Sequence, residues 1–75
     1  MAEGFVHSVL RDGRWRNYVE GDEGWLRGAF REKETAVVAG ALEARRRRTE
    51  HLIYDEDGKL RERNSYSINR GSKAA

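Results

Sequence analysis

An Asp-Gly pair occurs twice in this chain, at positions 12–13 and 57–58, and constrains its fold more than any other feature. Such a pair between two runs of β-forming residues predicts a hairpin, because both central residues of a type I′ turn need a positive φ. The flanking runs are residues 5–10 and 14–19 for the first pair, and residues 50–54 and 59–66 for the second. We therefore predict two β-hairpins, one in each half of the chain.

The segment between the two hairpins changes its hydrophobic period from that of a strand to that of a helix. Between about residues 32 and 47, small apolar residues recur at helical spacing and define one narrow face: Ala36, Val37, Gly40, Ala41 and Ala44. A short run at 25–30, interrupted by Gly28, predicts a third strand before this helix. The predicted order is β-β-β-α-β-β, an α+β fold in which one helix backs a small, antiparallel-type sheet of four or five strands.

Length and composition indicate one small domain over residues 5–66, with flexible ends at 1–4 and 67–75. The chain has 75 residues and no cysteine, so neither disulfides nor the usual zinc sites can support its core. Domains this small are often stabilised by self-association. No apolar run has membrane-spanning length and the N-terminus lacks the pattern of a secretion signal, which predicts a cytoplasmic protein without a membrane partner.

Arginine is abundant, although the net charge is only +2, from 15 Lys and Arg against 13 Asp and Glu. The arginines cluster on two predicted strands and at the end of the helix, which suggests a nucleic-acid surface. Its candidate contacts are Arg14, Arg16, Arg45, Arg46, Arg47, Arg48, Arg61 and Arg63. The alternative is that these side chains form a solvated strand face and a soluble helix end. Strand order decides between the two, since the patch is continuous only if the last hairpin lies beside Arg14 and Arg16.

Four large apolar residues extend beyond the predicted core and define a candidate protein interface: Trp25, Leu26, Val38 and Leu42. Val38 and Leu42 are one helical turn apart and are rotated away from the small-residue face. Tryptophan is enriched at the centres of protein interfaces, whereas Trp15 is expected to complete the core. We expect the partner to be a second copy of the chain or another protein.

Candidate catalytic and metal-binding groups are few. His7 and His51 lie on distant strands with no cysteine or serine motif, and histidines in strands are more often packed or exposed neutral rings. The carboxylates Asp55, Glu56 and Asp57 occupy consecutive turn positions, which turn propensity alone explains, and they supply too few ligands for a calcium loop. We therefore predict no catalytic residue, no metal, no cofactor and no small-molecule substrate.

From about residue 6 to residue 66 the chain resembles a family of small bacterial proteins, domain-of-unknown-function family 2188. The resemblance is carried by the motif at 12–15, by Phe30 before the helix, and above all by the blocks at 50–53 and 57–66. It implies an α+β fold with a sheet backed by one helix, and it implies no particular activity.

Two positions depart from the pattern typical of that family. Asn17 stands where an aliphatic residue is usual, and Glu32 stands where threonine or a similar helix-start residue is usual. From the residues as a whole we expect a non-enzymatic protein-interaction module that forms a homodimer. The alternative is a nucleic-acid-binding domain that uses an arginine-bearing sheet face and the C-terminus of the helix.

Overall fold

The computed structural model of the chain describes residues 4–21 and 24–66. Its elements are β1 (Val6–Arg11), β2 (Arg14–Val19), β3 (Gly24–Trp25), α1 (Lys33–Arg47), β4 (Glu50–Tyr54) and β5 (Leu60–Ser65). The predicted order β-β-β-α-β-β and the α+β class are confirmed. The predicted flexible ends, residues 1–4 and 67–75, lie outside the described residues except for Gly4.

The five strands form one sheet in the order β3-β2-β1-β4-β5. Three neighbouring pairs are antiparallel, and the central pair of β1 and β4 is parallel, with Val6 opposite His51. A parallel pair requires a crossover connection, and α1 supplies it. The two hairpins consequently occupy opposite halves of the sheet.

The two Asp-Gly turns differ although their central residues match. Asp12 and Gly13 have φ values of 53° and 80°, which a type I′ turn requires. In the described second hairpin only Gly58 has a positive φ, of 85°. There the backbone N–H of Asp55 donates to the Lys59 carbonyl at 2.9 Å, and the Asp55 carboxylate accepts the Lys59 N–H at 3.0 Å. The hairpin is confirmed, but its predicted type I′ turn is wrong because Asp55 stabilises a longer loop.

The predicted third strand, residues 25–30, is wrong over most of its length. β3 ends at Trp25, and Gly28 adopts a φ of 102° that interrupts the extended backbone. The chain rejoins the sheet at Phe30, whose N–H and C=O bond to the backbone of Trp15 at 2.8 and 2.7 Å. The sheet therefore gains one bridge there instead of a continuous strand.

The helix packs on the sheet through small residues. Ala36, Gly40 and Ala44 are buried, as the predicted narrow face requires. Their small size lets α1 approach the strands closely, and Ala44 packs with Val6 and Val19 in the core. One face of the sheet is thus covered by α1, whereas within the described residues no helix covers the other face.

Candidate functional site

A cluster of three polar side chains lies buried between the sheet and α1. Ser8 and Asn17 face each other across β1 and β2, and the Ser8 hydroxyl donates to Asn17 Oδ1 at 2.5 Å. His51 Nε2 lies 2.7 Å from the Ser8 oxygen, and the Asn17 amide donates to the Ala36 carbonyl of the helix at 3.0 Å. None of the three side chains in this buried polar cluster is more than 1% exposed. The cluster therefore ties the helix to the centre of the sheet.

Gly40 lies directly over the buried polar cluster. A Cβ atom at this position would stand 2.6 Å from Asn17 Oδ1, 2.6 Å from His51 Nε2 and 2.8 Å from Ser8 Oγ. Only glycine lets the helix approach so closely. Ser8 and His51 have the atoms of a nucleophile and its base, but the helix seals both from solvent and from any substrate. The pair is consequently structural.

The surroundings of His51 keep its imidazole neutral. Burial lowers the pKa of His51 below its usual range. Because the Ser8 hydrogen is directed to Asn17, the imidazole donates its Nε2 hydrogen to Ser8, and its Nδ1 remains an acceptor. This Nδ1 has no hydrogen-bond partner within the described chain. A second proton on the ring would thus place an unpaired charge inside the protein.

The opposite face of the sheet, the open face, carries a row of four rings, one from each of four adjacent strands. In spatial order this aromatic row consists of Trp25 on β3, Tyr18 on β2, His7 on β1 and Tyr54 on β4. Neighbouring ring centroids are 5.1, 6.2 and 5.6 Å apart. The rings align because Trp25 is paired with Tyr18, and Tyr18 with His7, in the strand register. Together with Val9, Arg11 and Glu20 they line a concavity of about 560 Å³.

Hydrogen bonds fix His7 within the aromatic row. Its Nδ1 lies 2.8 Å from the Tyr54 hydroxyl, and its Nε2 lies 2.6 Å from Glu20 Oε2. The hydrogen bond with His7 lowers the pKa of the Glu20 carboxyl against the opposing effect of burial. Glu20 is therefore ionised at neutral pH and holds the imidazole in one orientation.

Arginines gather around Trp25 at one end of the open face. Arg11 and Arg16 each place the guanidinium carbon 5.0 Å from the Trp25 ring centroid, which is a cation–π distance. Arg16 also donates to the Leu26 carbonyl at 3.2 Å. Arg14 pairs with Arg11 in the register beside the β1–β2 turn and makes no salt bridge with any described residue. The guanidinium groups of Arg11 and Arg16 thus lie over the exposed Trp25 ring, and Arg14 is on the same face of β2 as Arg16.

The eight arginines predicted as a nucleic-acid surface do not lie together. β1 and β4 separate Arg14 and Arg16 from Arg61 and Arg63, which belong to β5 at the far edge of the sheet. Arg61 forms a salt bridge with Asp55 in the turn after β4, at 3.0 Å. Arg63 forms one with Glu50 of β4, at 2.5 Å. The strand order therefore divides the predicted patch.

The arginines at the end of α1 are engaged locally. Arg46 and Arg47 both bond to the carboxylate of Glu43, with Arg46 at 2.6 Å. Burial raises the pKa of Glu43, but the hydrogen bonds from Arg47 and Arg46 outweigh it and lower that pKa overall. The guanidinium carbon of Arg45 lies 5.3 Å from the ring centroid of Tyr66, which follows β5. Arg48 ends the helix in the left-handed conformation, with a φ of 57°.

The four predicted interface residues occupy three different places. Val38 and Leu42 are 62% and 59% exposed, and with Phe30 they line a shallow, mostly apolar depression of about 450 Å³. Trp25 belongs to the open face, on the other side of the sheet, and Leu26 packs against the core. We call the surface formed by Val38 and Leu42 of α1 and by the adjacent Phe30 the helix outer face. The predicted interface residues Trp25 and Leu26 are not part of it.

The remaining candidates also separate. His7 and His51 lie on opposite faces of the sheet, and Asp55 is used in its own loop, where the Lys59 N–H lowers the pKa of the Asp55 carboxyl. Within residues 4–21 and 24–66, no group of three or more His, Cys, Asp or Glu side chains is placed to hold a metal ion. Across the same ranges, no helix is both long enough and apolar enough to cross a bilayer.

Sequence reasoning missed the aromatic row and its link to Glu20. Strand alternation places Tyr18 on one face with Arg14 and Arg16, and that signal was present in the sequence. It could not indicate Tyr54, because alternation within a strand does not say which strands become neighbours.

Comparison with known proteins gives a family and nothing beyond it. No curated protein and no solved structure matches the chain significantly. Residues 6–66 match a family described as "Uncharacterized protein conserved in bacteria (DUF2188)". The matched segment runs from the first residue of β1 to just past β5, so it contains every strand and the helix. The chain belongs to this family, domain-of-unknown-function family 2188.

Proposed function

We propose that this chain is a non-enzymatic protein-interaction module that pairs with a second copy of itself through the helix outer face. The observation that carries the proposal is the exposure of Val38 and Leu42, at 62% and 59%, on the side of α1 turned away from the sheet. Their positions lie about half a turn around the helix from the buried Ala36, Gly40 and Ala44. Packing within one chain therefore does not use them.

The small core gives a reason for pairing. Among the described residues only seven apolar side chains are buried, two of them alanines, and four polar side chains share the interior. Burying one exposed aliphatic side chain fully is worth about 1.5–3 kcal/mol. A second copy would bury Val38 and Leu42 of both chains at once, and this burial would stabilise a domain whose own core is small.

The charge pattern of α1 favours a second copy over an unrelated partner. Glu34 lies in the first helical turn and Arg46 in the last, with Val38 and Leu42 between them. Two helices packed antiparallel, with the two-fold axis on the outer side of α1 at the level of residue 40, would bring Val38 against Leu42 and Glu34 against Arg46 of the other copy. The surface is thus complementary to itself, as a two-fold interface requires.

Two further features support the proposal. The Ser8 and His51 pair, which has the atoms of a nucleophile and its base, is buried beneath Gly40, which supports a non-enzymatic role. The cysteine-free composition accords with a cytoplasmic location. The alternative surface of eight arginines receives less support, because the strand order separates Arg14 and Arg16 from Arg61 and Arg63.

The test is the mass of the protein in solution, measured by light scattering after size exclusion, for the wild type and two variants. We expect a dimer for the wild type and a monomer for Leu42→Glu, because each new carboxylate would be buried against Val38 of the other copy without a partner. Leu60→Glu is the matched control, since Leu60 is also exposed, at 47%, but lies on β5. It should remain a dimer.

A charge swap tests the antiparallel arrangement. Glu34→Arg should weaken the dimer, and adding Arg46→Glu to the same chain should restore it. A wild type that is monomeric at its highest soluble concentration, or a Leu42→Glu variant that stays dimeric, would contradict the proposal. Circular dichroism on each variant confirms that a change in mass is not unfolding.

A further inference from the structure

We propose that the open face binds single-stranded nucleic acid, with bases stacked on the aromatic row and phosphates contacted by the arginines beside the β1–β2 turn. This site is separate from the helix outer face, because α1 covers the other side of the sheet. It also differs from the eight-arginine surface expected from the sequence. Its aromatic rings, rather than its charges alone, define what it recognises.

The aromatic row supplies the stacking surface. Its four rings come from four adjacent strands, with centroids 5.1 to 6.2 Å apart, so they form a track across the sheet. Trp25, at one end, is 36% exposed. Every base has a planar face that can stack on such rings, but only when it is not paired in a duplex. The track therefore favours single strands.

The cationic side chains lie where a phosphate backbone could pass the row. Arg11 and Arg14 are opposite each other at the end of the β1–β2 ladder, and Arg16 is on the same face two residues farther along β2. Arg14 has no salt bridge within the described chain, and the Asp12 contact of Arg11 is long, at 3.9 Å. Arg11 and Arg14 are therefore available to neutralise phosphates.

The acidic residue of the concavity lies away from these arginines. Glu20 follows Val19, which pairs with Val6 at the opposite end of the same ladder. Its carboxylate is already used by His7 at 2.6 Å and by the Phe5 N–H at 3.4 Å. The concavity is therefore polarised along the strands, with positive charge at the end where the phosphates would lie.

Fluorescence anisotropy with labelled oligonucleotides tests the proposal. The probes are a mixed-sequence single strand of about ten nucleotides, which is within the range bound by small sheet domains, and the duplex of the same sequence. We expect the single strand to bind at low salt at least tenfold more tightly than the duplex. The affinity for the single strand should fall as the salt concentration is raised, because contacts between arginines and phosphates release counterions from the nucleic acid.

Variants assign the binding to the aromatic row. Trp25→Ala should weaken single-strand binding by about 5- to 150-fold, the value expected for one lost stacking contact, whereas Trp25→Phe should retain most of it. Leu10→Ala is the matched control, because Leu10 is as exposed as Trp25, at 37%, but strand alternation places it on the face of β1 opposite Arg11. It should bind as the wild type does.

The inference would be overturned by no binding at low salt, by equal binding of duplex and single strand, or by unchanged binding by Trp25→Ala. Competition with adenosine monophosphate shows whether the site binds an oligonucleotide strand or a free nucleotide. If the mononucleotide displaces the oligonucleotide at equal concentration, the site binds nucleotides and the inference is wrong. The Leu42→Glu variant should bind the single strand in either oligomeric state, so this test and that of the dimer can fail independently.

Discussion

His51 Nε2 lies 2.7 Å from the hydroxyl oxygen of Ser8, and both side chains are completely buried between the sheet and the helix. Hydrogen bonds continue from Ser8 to Asn17 and from Asn17 to the backbone of α1. The contact between helix and sheet beneath Gly40 is thus polar. Because buried polar groups destabilise a protein when they lose a partner, this cluster should control the stability of the domain.

Replacing Gly40 with alanine should destabilise the protein. The added Cβ would stand 2.6 to 2.8 Å from three atoms of the buried polar cluster, so the helix must move or the hydrogen bonds must break. We expect a loss of about 1–3 kcal/mol in the free energy of unfolding, although alanine has the higher helix propensity. Urea denaturation measures this loss. Arg31→Ala, at an exposed position before α1, should change the value little, and a Gly40→Ala variant as stable as the wild type would refute the close approach.

Protonation of His51 should destabilise the fold as the pH falls. Burial lowers the pKa of His51 in the folded state, so near and below the unfolded value of about 6.5 the unfolded chain binds more protons. The free energy of unfolding should therefore be constant above about pH 7.5 and decrease as the pH falls through 6.5, at most by about 1.4 kcal/mol per pH unit.

The His51→Gln variant isolates this effect. Glutamine can still donate to Ser8 but does not titrate, so the decrease between about pH 7 and pH 5 should disappear. The carboxyls whose pKa values are lowered, Glu20, Glu43 and Asp55, lose their stabilising contribution only in more acidic solution. An identical pH profile for wild type and variant would assign the decrease to another group.

Replacing Asn17 with leucine should cost stability. The change leaves the Ser8 hydroxyl without its acceptor and the Ala36 carbonyl without its donor. We expect a loss of about 1–3 kcal/mol for the unsatisfied groups. In a double-mutant cycle with Ser8→Ala, the losses of unfolding free energy in the two single variants should add to more than the loss in the double variant. The reason is that the double variant no longer contains the Ser8 hydroxyl that lacks an acceptor. Strict additivity would show that Ser8 and Asn17 do not interact.

Replacing Glu32 with threonine should stabilise the helix. Glu32 is the N-cap of α1, with φ −99° and ψ 133°, but its side chain makes no capping hydrogen bond. A threonine hydroxyl can accept one of the unpaired N–H groups of the first turn, for a gain of about 1 kcal/mol. Thermal denaturation should show a higher midpoint. Glu34→Thr, which is inside the first turn and not at the cap, should show no such gain.

The local structure of this chain could be predicted from its sequence because it depends on neighbouring residues. Asp12-Gly13 forms the predicted type I′ turn, and the small residues from Ala36 to Ala44 form the buried face of the predicted helix. The prediction failed at residues 25–30, where Gly28 interrupts the strand, and at the second turn, where the Asp55 side chain selects a longer loop. In both places a specific backbone conformation overrode the general strand and turn signals.

The sequence by itself determined the order of elements, the family, and which residues share a face of each strand or of the helix. Tertiary structure alone decided that β1 lies between β2 and β4, since strand order depends on how the helix crosses the sheet. That order places His7 between Tyr18 and Tyr54 and separates Arg61 from Arg14. It also brings Ser8, Asn17 and His51 together beneath Gly40, a contact among residues up to 43 positions apart that no local pattern encodes.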